Sequence, residues 1–114
     1  MLSVEALEEY GANTKEAIAR CANKEDLYLK LVKRIPTDKG FDRLKDALDA
    51  GDLDEAFEAA HGLKGIVANL SLTPLLTPIS DITEKTRAKE EADYGPLLNE
   101  MFLQRDKLSI LCDD

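Results

Sequence analysis

One histidine and one lysine are placed where they could do chemistry together. His61 is the only histidine among the 114 residues, and Lys64 follows it three positions later. A histidine side chain titrates near pH 6.5, so at neutral pH it presents a nucleophilic nitrogen. A lysine one helical turn away could offset the negative charge of a phosphoryl group that reaches this nitrogen. The two residue types at this spacing therefore indicate phosphoryl transfer, provided that they share one side of a helix.

The segment around His61 has the apolar pattern of an amphipathic helix. At about 100° per residue, its apolar residues collect on one face, and His61 lies well off that face. Lys64 and Gly65 lie on the same side of the helix as His61, and Ala68 lies one further turn along. We therefore predict that His61 is exposed. The residues predicted to face the core are Leu53, Ala56, Ala60, Leu63, Val67 and Leu70, with Phe57 at their edge.

Two glycines interrupt this predicted helix and need an explanation. Gly62 and Gly65 each cost roughly 0.5–1 kcal/mol relative to alanine in a helix interior. Such a glycine commonly marks a place where another group approaches the backbone. Together with Ala68, Gly65 would leave a bare surface where a partner could bring its reactive group to the imidazole. We predict that Phe57, Gly62, Gly65 and Ala68 form a docking surface for a protein partner.

A metal site is the main alternative chemistry for this segment. Glu58 and His61 match the Glu-x-x-His element of carboxylate di-iron bundles. Those sites need a second such element and two further glutamates, all facing inward, whereas both residues here lie on the outer side of the helix. Cys21 and Cys112 lie far apart with no metal-like spacing, and we interpret them as reduced thiols whose roles stay open. We expect this chain to bind no metal and no cofactor.

The remaining sequence predicts helices and no sheet. Aromatic residues make up 5% of the chain, Trp is absent, and no run alternates with a period of two. Ser3 is predicted to cap a short first helix, and residues 14–21 form a second one. Pro36 and Gly51 end two later helices, and Pro78 should kink or loosen another. The residues predicted to begin or cap the later helices are Asn23, Asp38, Asp52, Thr73 and Asp93.

These elements predict an all-α fold. Four longer antiparallel helices joined by short turns form an up-down bundle, with short additional N-terminal helices packed across one end. A length of 114 residues fits a single domain, spanning 1–114.

Charge and hydropathy exclude several classes of function. The formal net charge is −8, and Lys and Arg are scattered, so a nucleic-acid partner is not expected. No apolar run approaches the ~18–20 residues of a membrane helix. The N-terminal residues carry acids and no basic segment, unlike a signal peptide. We expect a monomeric cytoplasmic protein that binds neither nucleic acid nor membrane.

At the residues around His61 the sequence resembles the histidine-phosphotransfer (HPt) domain family. The family motif His-x-Leu-Lys-Gly stands at residues 61–65, followed by small residues up to Leu70. The lead-in at residues 50–57 and the predicted helix at residues 23–32 are also similar to the family. The resemblance covers most of the chain and thins after about Pro74.

The resemblance implies a mechanism and a set of partners. His61 would be the phosphoacceptor, through the ring nitrogen remote from the backbone, and Lys64 would stabilise the phosphate charge. The phosphoryl group would pass between aspartates of response-regulator receiver domains, or arrive from a hybrid or chemotaxis-type histidine kinase. Magnesium would be held by the partner receiver. The chain would be a carrier rather than an enzyme.

Three departures from the family pattern carry expectations of their own. Ser71 stands where the family often has glycine, which should affect a helix end more than the chemistry. Gly62 replaces a usually larger residue, so we expect His61 to be more mobile than is typical. Pro78 is expected to perturb the neighbouring helix. Family members often place a polar side chain on the next helix to orient the histidine, and the candidates here are Thr83 and Thr86.

Two other functions stay open at this point. The chain could be a binding module that keeps the docking surface without turnover. It could also be the substrate domain of a larger kinase, phosphorylated by that kinase's own catalytic domain. The sequence leaves open the cognate kinase, the receiver and the stimulus.

Overall fold

The structure is a computed structural model that describes residues 2–113. Within that range the chain forms seven α-helices and one 3₁₀ turn, with no strand. The helices are α1 (Val4–Tyr10), α2 (Thr14–Arg20), α3 (Glu25–Lys33), α4 (Gly40–Asp49), α5 (Leu53–Asn69), α6 (Thr73–Arg87) and α7 (Gly95–Cys112), and the 3₁₀ turn is Ile35–Thr37.

Helices α4 to α7 form the bundle. Short connections make consecutive helices antiparallel, with α5 packed between α4 and α6 and with α7 against α6. Helix α7 also contacts α4, because the rings of Phe41 on α4 and Phe102 on α7 lie 6.5 Å apart. Each of the four helices therefore packs against two others. The predicted all-α up-down bundle is therefore confirmed. Its fully buried side chains include Phe41, Leu44, Leu63, Leu75, Ile79, Ile82, Met101 and Leu108.

The short N-terminal helices pack on one end of the bundle, as predicted, and they hold the C-terminal end of α5. The last carbonyls of any helix lack an intrahelical donor. The Arg20 guanidinium of α2 donates to the Asn69 carbonyl at 2.9 Å, and the Tyr28 hydroxyl of α3 donates to the Leu70 carbonyl at 3.1 Å. Burial, with a smaller contribution from Cys21, raises the pKa of Tyr28 to about 12. That hydroxyl therefore stays a donor across the physiological pH range.

Ser71 keeps the backbone shape that glycine favours. Its φ of 52° lies in the left-handed region, which costs a non-glycine residue roughly 1–2 kcal/mol. The Ser71 hydroxyl offsets part of this cost by accepting a hydrogen bond from Arg20 at 2.8 Å and donating one to Glu16 at 3.2 Å. The substitution therefore affects the end of α5 and leaves the middle of the helix unchanged.

Several predicted helix starts need correction. Ser3 and Asp52 cap α1 and α5 as predicted. Asn23 does not cap α3, because its φ of 61° places it in a left-handed turn before the helix. Asp38 and Asp93 lie two residues before α4 and α7. Each carboxylate accepts a hydrogen bond from the first helical N–H, at 2.7 and 2.9 Å.

The ends of α2 and α6 also differ slightly from the prediction. Helix α2 ends at Arg20 rather than Cys21, and Thr73 is the first residue of α6 rather than its cap. Pro78 does not interrupt α6, which continues through this buried residue without a break. Pro78 lies in the second turn, so its missing N–H removes a single hydrogen bond, to the Pro74 carbonyl.

None of the helices in the described part of the chain combines the length and the apolar character needed to cross a membrane.

Candidate functional site

Helix α5 holds His61 at its middle and on its outer side. The helix begins at Asp52, whose side chain accepts the Glu55 N–H at 3.0 Å, and its inner side is buried. His61 is exposed, as the apolar spacing predicts. The buried residues of α5 are Ala56, Ala59, Ala60, Leu63 and Val67. The rigid inner side thus fixes the backbone that carries His61.

A stack of three side chains sets the plane of the imidazole. The rings of Phe57 and His61, one helical turn apart, lie 5.3 Å apart and are inclined by 15°. The guanidinium of Arg87 on α6 lies over the Phe57 ring, and its central carbon is 5.0 Å from the centroid of that ring. Aromatic and cation–π contacts of this kind contribute about 0.5–1 kcal/mol each. Phe57, predicted as part of a docking surface, therefore supports His61 from within the chain.

The predicted orienting role of Thr83 and Thr86 is wrong. Both residues are buried, at 0% and 1% exposure, whereas His61 is exposed. The Thr83 hydroxyl donates to the Ile79 carbonyl at 2.7 Å, and the Thr86 hydroxyl donates to the Ile82 carbonyl at 2.7 Å. Threonine hydroxyls inside helices commonly bond the carbonyl four residues earlier, and both do so here.

Lys64 is engaged by an acidic residue of the neighbouring helix. Its ammonium nitrogen lies 3.6 Å from Glu84 Oε1, and the other carboxylate oxygen of Glu84 lies 3.5 Å from Arg87 Nε. The sequence prediction did not include Glu84 or Arg87. Their spacing of three is visible in the sequence, but pairing with α5 depends on how the two helices align along their axes.

The surface beside His61 is open at both glycines. Apart from the adjacent residues and the backbone of α5 itself, a Cβ atom added at Gly62 or at Gly65 would meet no atom within 4 Å. Ile66, which follows Gly65, is 37% exposed, and Ala68 is half-buried. Packing within the chain does not require glycine at either position.

Two open grooves flank this surface, one toward α3 and the 3₁₀ turn and the other toward α4. Ile66 and Asp38 border both grooves. The first groove is also lined by Leu31, Arg34, Ile35, Gly65, Asn69 and Leu70, and the second by Lys39, Gly40, Arg43, Ala59, Gly62 and Leu63. Basic side chains thus lie along the grooves of a protein whose net charge is −8. The hydrogen bond from Arg43 to Glu55 raises the pKa of Arg43.

Within residues 2–113 no group of three His, Cys, Asp or Glu side chains could hold a metal ion. Glu58 is exposed beside His61 on α5. Cys21 follows α2, and Cys112 is the last residue of α7, so neither belongs to the site helix.

The sequence was compared with protein-family models, with curated proteins and with solved structures. A family model described as Hpt domain matches residues 30–108, which is more than half of the chain. Searches among curated proteins and among solved structures found no match. The matched range begins within α3, ends within α7 and includes the whole of α5 and α6. The chain therefore belongs to the Hpt domain family, whose members carry out histidine phosphotransfer in two-component systems.

Proposed function

We propose that this chain is a phosphorelay carrier and that His61 is its phosphoacceptor. The observation that carries the proposal is the position of the only histidine. It is exposed at the middle of a bundle helix, within the range that matches the family. Lys64 lies one turn further along on the same side of that helix.

The transfer step follows from the chemistry of the imidazole. Nε2 of His61 attacks the phosphorus of an aspartyl phosphate on a receiver domain. An N–P bond forms, the P–O bond to the aspartate breaks, and the aspartate leaves as a carboxylate. The ring carries a positive charge until its Nδ1 proton is released to solvent. Nδ1 then regains a proton from solvent, the aspartate of a second receiver attacks the same phosphorus, and the N–P bond breaks to return the neutral imidazole.

The residues around His61 support this step by charge and by access. The Lys64 ammonium offsets the charge on the phosphoryl oxygens. The surface formed by Phe57, Gly62, Gly65 and Ala68 is where the receiver docks, and the empty space at both glycines admits its backbone. Magnesium and the remaining catalytic groups belong to the receiver or the kinase, so this chain acts as a carrier.

The test uses the purified protein and each phosphorylated receiver domain from its own genome. Wild-type protein gains an acid-labile phosphate, and His61→Gln does not. The exposed His61 side chain stacks on Phe57 and is otherwise outside the core, so this variant should lower the free energy of unfolding by at most about 1 kcal/mol. Glu58→Gln, also exposed on α5, is the matched control and keeps the label.

Two results would contradict the proposal. Undiminished acid-labile phosphate on His61→Gln would identify another acceptor. A cooperative loss of helicity in the same variant would show that His61 is needed for folding.

A further inference from the structure

The ion pair between α5 and α6 has a consequence for the phosphorylated protein. We propose that Glu84 is a positioning residue that holds Lys64 while His61 is unphosphorylated and releases it to the phosphoryl group. By competing for Lys64, Glu84 lowers the stability of the phosphohistidine and so favours its onward transfer. This inference rests on the proposed function of His61.

One carboxylate of α6, that of Glu84, engages both Lys64 of α5 and Arg87 of its own helix. Glu84 Oε1 lies 3.6 Å from Lys64 Nζ, and Glu84 Oε2 lies 3.5 Å from Arg87 Nε. Arg87 is also held over the Phe57 ring, which stacks on the imidazole. Lys64 has a flexible chain of four methylene groups and no such second support. Of the two cations, Lys64 is therefore the one that can exchange partners.

The pair is exposed enough to exchange readily. The Lys64 side chain is 34% exposed, and the Glu84 side chain is 59% exposed. Exposed pairs of this kind contribute little to stability. A phosphoryl group carries about −1.5 to −2 charges at pH 7, against −1 for a carboxylate. The Lys64 ammonium therefore moves to the phosphoryl group once His61 carries one.

Phosphorylation then has two unfavourable consequences at Glu84. The carboxylate loses the ammonium that neutralised it, and it remains near the new negative charge of the phosphoryl group. Both effects raise the free energy of phosphorylated His61 relative to unphosphorylated His61. Replacing Glu84 by glutamine removes both effects and keeps a side chain of the same size.

The experiment measures this balance without any protein partner. The protein is equilibrated with phosphoramidate and ammonium at a fixed ratio. A phosphoryl group passes from the amide nitrogen to His61, with release of ammonia, and ³¹P NMR gives the ratio of phosphohistidine to free histidine. At low ionic strength Glu84→Gln should raise this ratio about two- to fivefold, the range expected for one exposed charge interaction. At ionic strength of about 1 M, where the Debye length is about 3 Å, the gain should nearly vanish.

A matched control separates this effect from a general change of charge. Glu90→Gln removes the same charge and breaks an exposed ion pair with Lys85 of similar length, 3.5 Å. It leaves the Lys64–Glu84 pair intact, so its phosphohistidine ratio should stay near that of the wild type. In a Lys64→Ala background, the gain from Glu84→Gln should fall by more than about half, because the two residues are coupled.

The outcomes distinguish the two proposals. If wild-type His61 takes no phosphoryl group from phosphoramidate or from any receiver, the proposed function fails, and this inference fails with it. If His61 is phosphorylated but Glu84→Gln matches Glu90→Gln, only the role of Glu84 is overturned. An undiminished gain in the Lys64→Ala background would likewise overturn it, because the carboxylate would then act without Lys64.

Discussion

Gly40 of α4 faces the inner side of α5, Gly65 lies on the outer side of α5, and the two glycines differ in the space around them. A Cβ atom at Gly40, the first residue of α4, would lie 2.8 Å from Leu63 Cδ2 on the inner side of α5. A Cβ atom at Gly65, on the outer side, would meet nothing within 4 Å. At Gly40 the side chain is excluded by a neighbour within the chain. At Gly65 no such neighbour exists, so packing within the chain does not account for the glycine, and we propose that access for a partner does.

The comparison extends from the glycines to the two sides of the helix. Leu63 on the inner side is 2% exposed, whereas Ile66 on the outer side is 37% exposed. Substitutions on the inner side should change the stability of the fold, and those on the outer side should change transfer. Variants on each side of α5 can test whether stability and transfer separate in this way.

The largest effect on stability is expected at Leu63. Leu63→Ala removes buried methyl groups between α4 and α5, so the free energy of unfolding should fall by about 2–5 kcal/mol. Chemical denaturation monitored by circular dichroism measures it. Ile66→Ala on the outer side is the control and should cost less than about 1 kcal/mol. Equal losses at the two positions would mean that the two sides of α5 do not differ in packing.

The largest effect on transfer, apart from the loss of His61 itself, is expected at Gly65. Gly65→Gln places a long side chain beside His61 and holds the receiver away, and a displacement of about 1 Å can cost on the order of a hundredfold in rate. A rapid-quench time course with a phosphorylated receiver measures this rate. The unfolding free energy of the same variant should not fall. Transfer at the wild-type rate would show that the receiver does not approach Gly65.

The third prediction concerns Gly40. The methyl group that Gly40→Ala adds would crowd the Leu63 side chain and would lie 2.9 Å from Asp38 Oδ1. Leu63 is packed in the core and cannot move aside easily, so we expect a loss of about 1–3 kcal/mol in thermal unfolding. A Leu63→Ala background supplies the control, because the same substitution should cost less there. A loss that is unchanged in that background would place the strain elsewhere.

The inner and outer sides of α5 could be predicted from the sequence because they follow from local periodicity. Apolar spacing alone placed Ala60, Leu63 and Val67 in the core and His61 in solvent. The pairs that join α5 to α6 could not be predicted in this way. Whether Glu84 meets Lys64 depends on the axial alignment of two helices, which no local pattern determines.

The incorrect predictions have similar physical causes. The hydroxyls of Thr83 and Thr86 found acceptors on their own helix and are buried, so the type of residue was a poor guide to its partner. The packing role of Gly40 could not be predicted from the sequence, because its close neighbour Leu63 is distant along the chain. By contrast, Gly65 could be singled out because its cost within a helix is a local property.

The smallest predicted effect has the opposite sign to that at Gly40. Gly65→Ala replaces a flexible residue inside α5 with a better helix former, and the new Cβ atom meets no neighbour. The free energy of unfolding should therefore rise by roughly 0.5–1 kcal/mol. Gly62→Ala has the same open surroundings and should stabilise the protein by a similar amount. Thermal unfolding of Gly40→Ala, Gly62→Ala and Gly65→Ala, measured side by side, shows whether each substitution raises or lowers the free energy of unfolding.

Transfer kinetics of the same two variants then separate access from helix stability. Gly65 lies about 40° from His61 around the helix axis and Gly62 about 100° away, given about 100° per residue. The methyl group of Gly65→Ala therefore projects toward the phosphoryl group, and it should slow transfer more than that of Gly62→Ala. If both variants slow transfer equally, stiffening of the helix explains the loss. If Gly65→Ala is more stable and still slower, the glycine is present because the partner must come close.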